Sequence, residues 1–271
     1  MVCAYRARAS KWATPLFVDP WAEKIAGAEG EAIAKALDPR FPSMETWLAL
    51  RVAYLDRLVG LAVDRCSIRQ VVILGAGYDT RAARLPRAGV TFFEVDHPAT
   101  QAAKRERLAS LAGYPIDNAR YVTCNFERED PIDRLAATGF DIKEPALVIW
   151  EGVTMYLTEP AIRTTATRIA TGLDPRSLLA FDFLGKRFAD GRQISDKDMQ
   201  TRSYVGELGE PVTFGADDIL PLLYDCGFRW VRSLDFNELA LEMLGDYQRD
   251  RQFRFQRLAL AAPRPPDAGW P

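Results

Sequence analysis

Chemistry in this chain gathers around a glycine turn, one acid and a pair of opposite charges. The apolar run Gln70–Leu74 (QVVIL) leads directly into Gly75-Ala76-Gly77-Tyr78-Asp79-Thr80. Glycines let the backbone turn sharply and let a ligand approach it closely. The helix that follows presents unsatisfied N–H groups to an anionic group. A lone G-x-G also fits a tight strand-to-helix turn with no ligand. Asp96 lies 21 residues after Gly75, at the end of the next apolar run. An acid there either accepts the hydroxyls of a ribose or caps the helix that opens at Pro98. Glu151, after a later strand, and Arg51, on a long helix before the first strand, supply one anionic and one cationic partner.

Two ligand classes compete for such a turn. A nicotinamide dinucleotide wants a third glycine, in G-x-G-x-x-G, so that the helix closes on a pyrophosphate. Position 80 is threonine, which speaks against a nicotinamide oxidoreductase. S-adenosylmethionine carries no phosphate. Its ammonium, carboxylate and sulfonium call for an acid, a cation and a water-poor pocket, and Glu151 and Arg51 are candidates for the first two. Asp79 and Thr80 either meet the ligand or cap the helix after the turn. Arg81 and Arg84 read as helix-surface residues. Tyr156 either faces an acceptor or fills the core. His97, the only histidine, is either a general base or a structural residue in the first turn of a helix.

The elements that must position these residues fall into three regions. Residues 1–68 read as helical, with Ser43 as N-cap of a helix running to Arg65 along Trp47, Leu48, Leu50, Ala53, Tyr54, Leu58 and Leu61. From Gln70 the rhythm changes. Short apolar runs at Gln70–Leu74, Thr91–Val95, Arg120–Cys124, Ala146–Trp150 and Ser177–Phe183 alternate with helical stretches at Pro98–Ala112 and Glu159–Gly172. Runs apolar throughout suit strands buried on both faces, and the alternation predicts an α/β fold with a mostly parallel sheet. A helix over Asp217–Asp225 and strands over Arg229–Leu234 and Gln252–Ala261 follow, the two strands forming an antiparallel pair at the sheet edge. The domain reading is a helical extension over 1–68 and a core over 69–262 with a polar insertion at 184–215. A frayed tail over 263–271 completes it. Insertions of that length often carry substrate sites.

Bulk properties narrow the partner. The net charge is −2, with 35 basic and 37 acidic residues, so there is no electrostatic footprint for nucleic acid and no polybasic membrane anchor. No long apolar stretch and no signal-like N-terminus are seen, and a reduced cytoplasmic location is the expectation. The cysteines Cys3, Cys66, Cys124 and Cys226 lack any CxxC spacing, which with one histidine speaks against a metal site. The expected partner is a small-molecule acceptor, with oligomeric state open.

Three motifs carry a specific resemblance. Val71–Leu85 (VVILGAGYDTRAARL), Phe92–Leu108 (FFEVDHPATQAAKRERL) and Trp150–Ile162 (WEGVTMYLTEPAI) resemble the leucine carboxyl methyltransferase family, including its bacterial polyketide O-methylation branch. Segments Arg6–Ala22 and Gly209–Phe228 are also similar to that branch, so the resemblance spans roughly residues 5–235. It implies a Rossmann-like class I methyltransferase sheet with an N-terminal helical extension and a substrate-side insertion. It implies an S-adenosylmethionine-dependent O-methyltransferase of secondary metabolism, forming S-adenosylhomocysteine. It implies cofactor contacts at Arg51 (carboxylate), Gly75 and Gly77 (methionine portion), Asp96 (ribose), Asn125 and Phe126 (adenine) and Glu151 (ammonium). Asn125-Phe126 stands where the family usually has Asp-Leu, and Ala9 where many relatives carry Glu. Arg6 belongs to the N-terminal motif and would help close the pocket. A carboxylate acceptor is ionised at neutral pH and needs no base; a phenol would benefit from one. A protein C-terminal carboxylate as acceptor, with Arg187, Arg192 and Arg202 of the insertion holding it, and a non-catalytic cofactor-binding protein are the alternatives.

Overall fold

In the computed structural model, the residues described are 1–192, 199, 202–203, 206, 211–248 and 253–266. Among them the helices are α1 (Val2–Ala9), α2 (Ala22–Leu37), α3 (Met44–Cys66), α4 (Arg81–Arg84), α5 (Pro98–Ala109), α6 (Pro131–Ala136), α7 (Glu159–Gly172), α8 (Lys186–Asp190), α9 (Leu220–Asp225) and α10 (Phe236–Leu244). The strands are β1 (Gln70–Leu74), β2 (Thr91–Asp96), β3 (Ala119–Thr123), β4 (Ala146–Trp150), β5 (Leu178–Leu184), β6 (Trp230–Asp235) and β7 (Gln256–Ala262).

These strands form one sheet in the order β3-β2-β1-β4-β5-β7-β6. The first five are parallel, and β7 runs antiparallel to both β5 and β6. The expected mixed α/β sheet is therefore found. Alternate residues of β1 serve opposite faces. Val71 and Ile73 pack under α1, α2, α3 and α10, whereas Val72 and Leu74 pack under α6, α7 and α9. That double burial explains the continuous apolar runs.

Several boundaries differ from the sequence reading. Ser43 does take the N-cap position of α3, but its side chain makes no capping bond there. The last strand opens at Gln256 rather than Gln252, which lies outside the described residues; Phe253–Phe255 form a 3₁₀ turn instead. The helix expected from Asp217 starts at Leu220. Helix α10 was not anticipated, although Asp235 and Glu238 form a reciprocal capping box at its start. Part of the predicted insertion, residues 193–198, 200–201, 204–205 and 207–210, lies outside the described residues, as does 267–271 of the tail. No described helix is long and apolar enough to cross a membrane.

The chain order reverses beside β1, with β2 on one side and β4 on the other. At such a switch point the loops leaving adjacent strands diverge and open a crevice at the carboxyl ends. Gly75 leaves β1 there, and Glu151 leaves β4.

Candidate functional site

The glycine turn is built by backbone strain that only glycine tolerates well. Gly75 has φ +65° and Gly77 φ +43°. Gly75 N–H and Ala76 N–H both donate to Val95 O, at 2.7 and 3.2 Å, which ties the turn to β2. A Cβ on Gly75 would stand 2.3 Å from Val153 Cγ2. The turn is thus wedged between β2 and the loop after β4.

Asp96 locks this turn from the tip of β2. Its Oδ2 accepts from Gly77 N–H at 2.5 Å and its Oδ1 from His97 N–H at 2.7 Å. Burial raises the carboxyl above the ordinary aspartate range, and the two N–H donors oppose that rise. Each oxygen keeps acceptor capacity for a further hydroxyl. Asp96 does not cap α5. His97 holds that position, its Nδ1 accepting from Ala99 N–H at 3.3 Å. His97 is exposed and is not part of the cavity wall described below.

Arg51 and Glu151 meet across the crevice. Arg51 Nε donates to Glu151 Oε1 at 2.8 Å, and its Nη1 donates to Asp182 Oδ2 at 2.5 Å. Neither partner stands alone. Ion pairs run Arg6–Asp19–Arg84–Asp56–Arg81–Glu151–Arg51–Asp182, with Asp79 also on Arg81. The sequence places Arg81 and Arg84 on a helix surface; the structure buries Arg81 and half-buries Arg84, whose side chain itself is 4% exposed. Helix α4 is one turn long and folds under α3, whose Asp56 receives both guanidiniums. Asp79 accepts from Arg81 N–H at 2.6 Å, and Thr80 Oγ1 donates to Asp19 at 2.7 Å. Asp182 is the one charge in the otherwise apolar β5 sequence LLAFDFL, a signal that sequence reading passed over. It also accepts from Gly152 N–H at 2.5 Å.

This network leaves one negative charge in excess, since five carboxylates face four guanidiniums. Burial alone would raise Glu151, but Arg81 and Arg51 prevail and hold its carboxyl down at about 2. The folded value lies below the ordinary 4.5. Its stabilising contribution is therefore complete above pH 4.5 and is lost as pH falls through about 2. The expected result is a stability gap between wild type and Glu151→Gln that is constant from about pH 7.5 to 5.5 and narrows on further acidification. Urea titrations across that range check it, and a gap that widens in acid contradicts it.

A cavity of about 430 Å³ opens over these groups, within the range of small-molecule sites. Its wall carries polar and charged groups, Arg6, Arg51, Gly75–Asp79, Glu151 and Gly152. The same wall carries an apolar cluster of Met155, Leu184, Phe188, Val212 and Phe255, with Phe41, Tyr156 and Trp47 also on it, the Trp47 ring lying 5.8 Å from the Arg51 guanidinium. The structure thus brings Arg51, Gly75, Gly77, Glu151 and Tyr156 to one cavity, with Asp96 behind Gly77. Arg6 reaches the same wall and donates to Tyr78 O at 2.8 Å. Asn125 and Phe126 follow β3, outside that cavity's wall. Asn125 Oδ1 accepts from Glu127 N–H at 3.0 Å, and the Phe126 ring lies 6.2 Å from that of Trp150. Of the insertion arginines, Arg202 donates to Ala189 O at 3.0 Å and Arg192 is exposed.

The donor set fits a group bearing an ammonium, a carboxylate and a sulfonium. Such a group carries one net positive charge, which matches the excess negative charge of the network. Opposite charges for its two ionic ends already stand together at Glu151 and Arg51.

Comparison with known proteins points the same way. A family model described as leucine carboxyl methyltransferase matches residues 1–170. Proteins of Mycobacterium bovis and Mycobacterium tuberculosis, each named "Putative S-adenosyl-L-methionine-dependent methyltransferase", are 35% identical over 213 residues, covering 72% of this chain and 68% of theirs. Among solved structures, a DUF574 family protein from Streptomyces avermitilis superposes with a TM-score of 0.62 at 13% identity, covering 97% of both chains. A protein from Thermobifida fusca titled a "putative methyltransferase" superposes at 0.58 with 15% identity, covering 97% of this chain and 94% of that one. At such identities the structural likeness speaks for the fold alone.

Proposed function

We propose, since this chain belongs to the leucine carboxyl methyltransferase family, that it is an O-methyltransferase acting on the carboxylate or acidic hydroxyl of a largely apolar, polyketide-type metabolite. At the coarser level it is an S-adenosylmethionine-dependent methyltransferase. The observation that supports the finer reading is that one cavity wall joins the charged groups around Arg51 and Glu151 to the apolar cluster of Met155, Leu184, Phe188, Val212 and Phe255.

Bound beside Arg51 and Glu151, S-adenosylmethionine would supply an electrophilic methyl group on a sulfonium. Asp96 would accept from the ribose hydroxyls while its other lone pairs hold the Gly75–Gly77 turn. Glu151 would take the ammonium and Arg51 the carboxylate, each exchanging part of its present pairing for the ligand's own charges. Asn125 and Phe126 would hold the adenine. The apolar cluster would exclude water and hold the acceptor oxygen against the methyl group. Catalysis then rests on alignment and desolvation. No histidine reaches the cavity wall, and an acceptor that arrives ionised needs none.

The test supplies methyl-labelled S-adenosylmethionine with a panel of carboxylated, hydroxylated and amino-substituted aromatic compounds, some with an enolisable carbon. Label transferred to an ester is released as methanol in alkali, and label in an ether is not. Transfer to either oxygen class is expected. Transfer confined to nitrogen or carbon acceptors overturns O-methylation.

A further inference from the structure

We propose that Gln256 determines acceptor specificity, by hydrogen-bonding a hydroxyl on a planar, uncharged acceptor laid against Phe255. The inference rests on the reading of the apolar cluster as the acceptor site. It narrows that reading from either oxygen class to a hydroxyl, whose proton passes to water as the oxygen–methyl bond forms and the sulfur–methyl bond breaks.

The placement follows from topology. Strand β7 is antiparallel to β5, so its first residue lies where the parallel strands end, with Gln256 paired to Leu184. Side chains alternate along a strand. Gln256 therefore shares a face with Leu258 and Leu260, the face covered by α3 and the N-terminal helices. Gln256 is 9% exposed and forms part of the cavity wall. Its Oε1 is buried with no hydrogen-bond partner. Buried amide oxygens are rarely left so, because an unmade bond costs the full desolvation of the group.

The surroundings say what would satisfy it. The Phe255 ring stacks on Phe188 with centroids 3.9 Å apart and planes 4° from parallel. Both rings belong to the cavity wall, with Met155, Leu184 and Val212 beside them. That wall suits a flat apolar body. The cationic side chains on the cavity wall, Arg6 and Arg51, are already paired with Asp19, Glu151 and Asp182. A carboxylate placed at Gln256 would lose its hydration with no cationic side chain free to pair with it. The terminal amide turns readily about its last torsion, so it offers either its oxygen or its amino group. A hydroxyl, both donor and acceptor, answers either. A carboxylate answers only one.

The experiment uses the whole protein and three matched probes: naphthalene, 2-naphthol and 2-naphthoate. Binding is followed by ligand-observed NMR with S-adenosylhomocysteine present and absent. The expected result is 2-naphthol bound about tenfold tighter than naphthalene, with 2-naphthoate no tighter than naphthalene. Gln256→Met removes the 2-naphthol preference and leaves naphthalene binding unchanged, which also reports that the pocket is intact. A preference that survives Gln256→Met overturns the proposal. In wild type alone, 2-naphthol no tighter than naphthalene, 2-naphthoate tightest, or no binding by any probe overturns it equally. Failure of S-adenosylhomocysteine to bind instead counts against the proposed function, and the probe ratios in its absence still decide the role of Gln256.

Discussion

Replacing Asp96 by Ala lowers the affinity for S-adenosylmethionine by about 100-fold or more. Two charge-assisted hydrogen bonds to ribose hydroxyls are worth about 1.5–3 kcal/mol each, and about 1.4 kcal/mol corresponds to a factor of ten. The same substitution orphans Gly77 N–H and His97 N–H, which Asp96 now accepts. Stability should fall by about 1–3 kcal/mol, because an unsatisfied donor costs roughly that much. The two effects separate experimentally. Calorimetric titration reads the affinity, and urea unfolding of the unliganded protein reads the turn. A folded Asp96→Ala protein that binds as tightly as wild type would remove Asp96 from the site and leave it a purely structural clamp.

Gly75→Ala is expected to be among the most destabilising single-atom additions in the chain. At φ +65° an L-residue is strained by about 1–2 kcal/mol. The new methyl would also stand 2.3 Å from Val153 Cγ2, and overpacking of this kind costs about 1–3 kcal/mol. The loss should reach about 2–5 kcal/mol, a large share of ordinary domain stability. Adding Val153→Ala removes the clashing methyl and should restore the packing part, while the backbone strain persists. Because the two residues touch, the double variant should be more stable than the two single losses predict. Strict additivity in thermal or urea unfolding would show that the turn has moved rather than clashed. Cofactor affinity should fall in Gly75→Ala even where the chain remains folded, since the backbone approach at the turn is then blocked.

β1, β2, β4 and β5 are legible in the sequence because their apolar runs are buried on both faces, whereas β3 and β6 are only partly buried. β1 and β4 begin and end where QVVIL and ALVIW do. Helix α10 is hard to see in the sequence because it lies between β6 and β7, where only its capping box marks a start. Arg81 and Arg84 looked like surface residues because a four-residue helix gives no hint of what lies over it. Their burial is decided by α3, which brings Asp56, 25 and 28 residues earlier in the chain, to both guanidiniums.

The sequence singles out the glycine turn, Asp96, Glu151 and Arg51 as candidates, the turn and Asp96 by their spacing in a βαβ unit and the two charges by their types, and the structure places Arg51, Glu151 and the turn on one cavity. What sequence spacing does not contain is the distance across the sheet. Tertiary structure alone decided that Arg51 bridges Glu151 to Asp182, at 100 and 131 residues' separation, and that these pairs join one buried network. It alone decided that an antiparallel seventh strand delivers Gln256 to the carboxyl ends of the parallel ones. Local pattern determines which faces are apolar and which loops turn. Strand order and burial determine which charges meet.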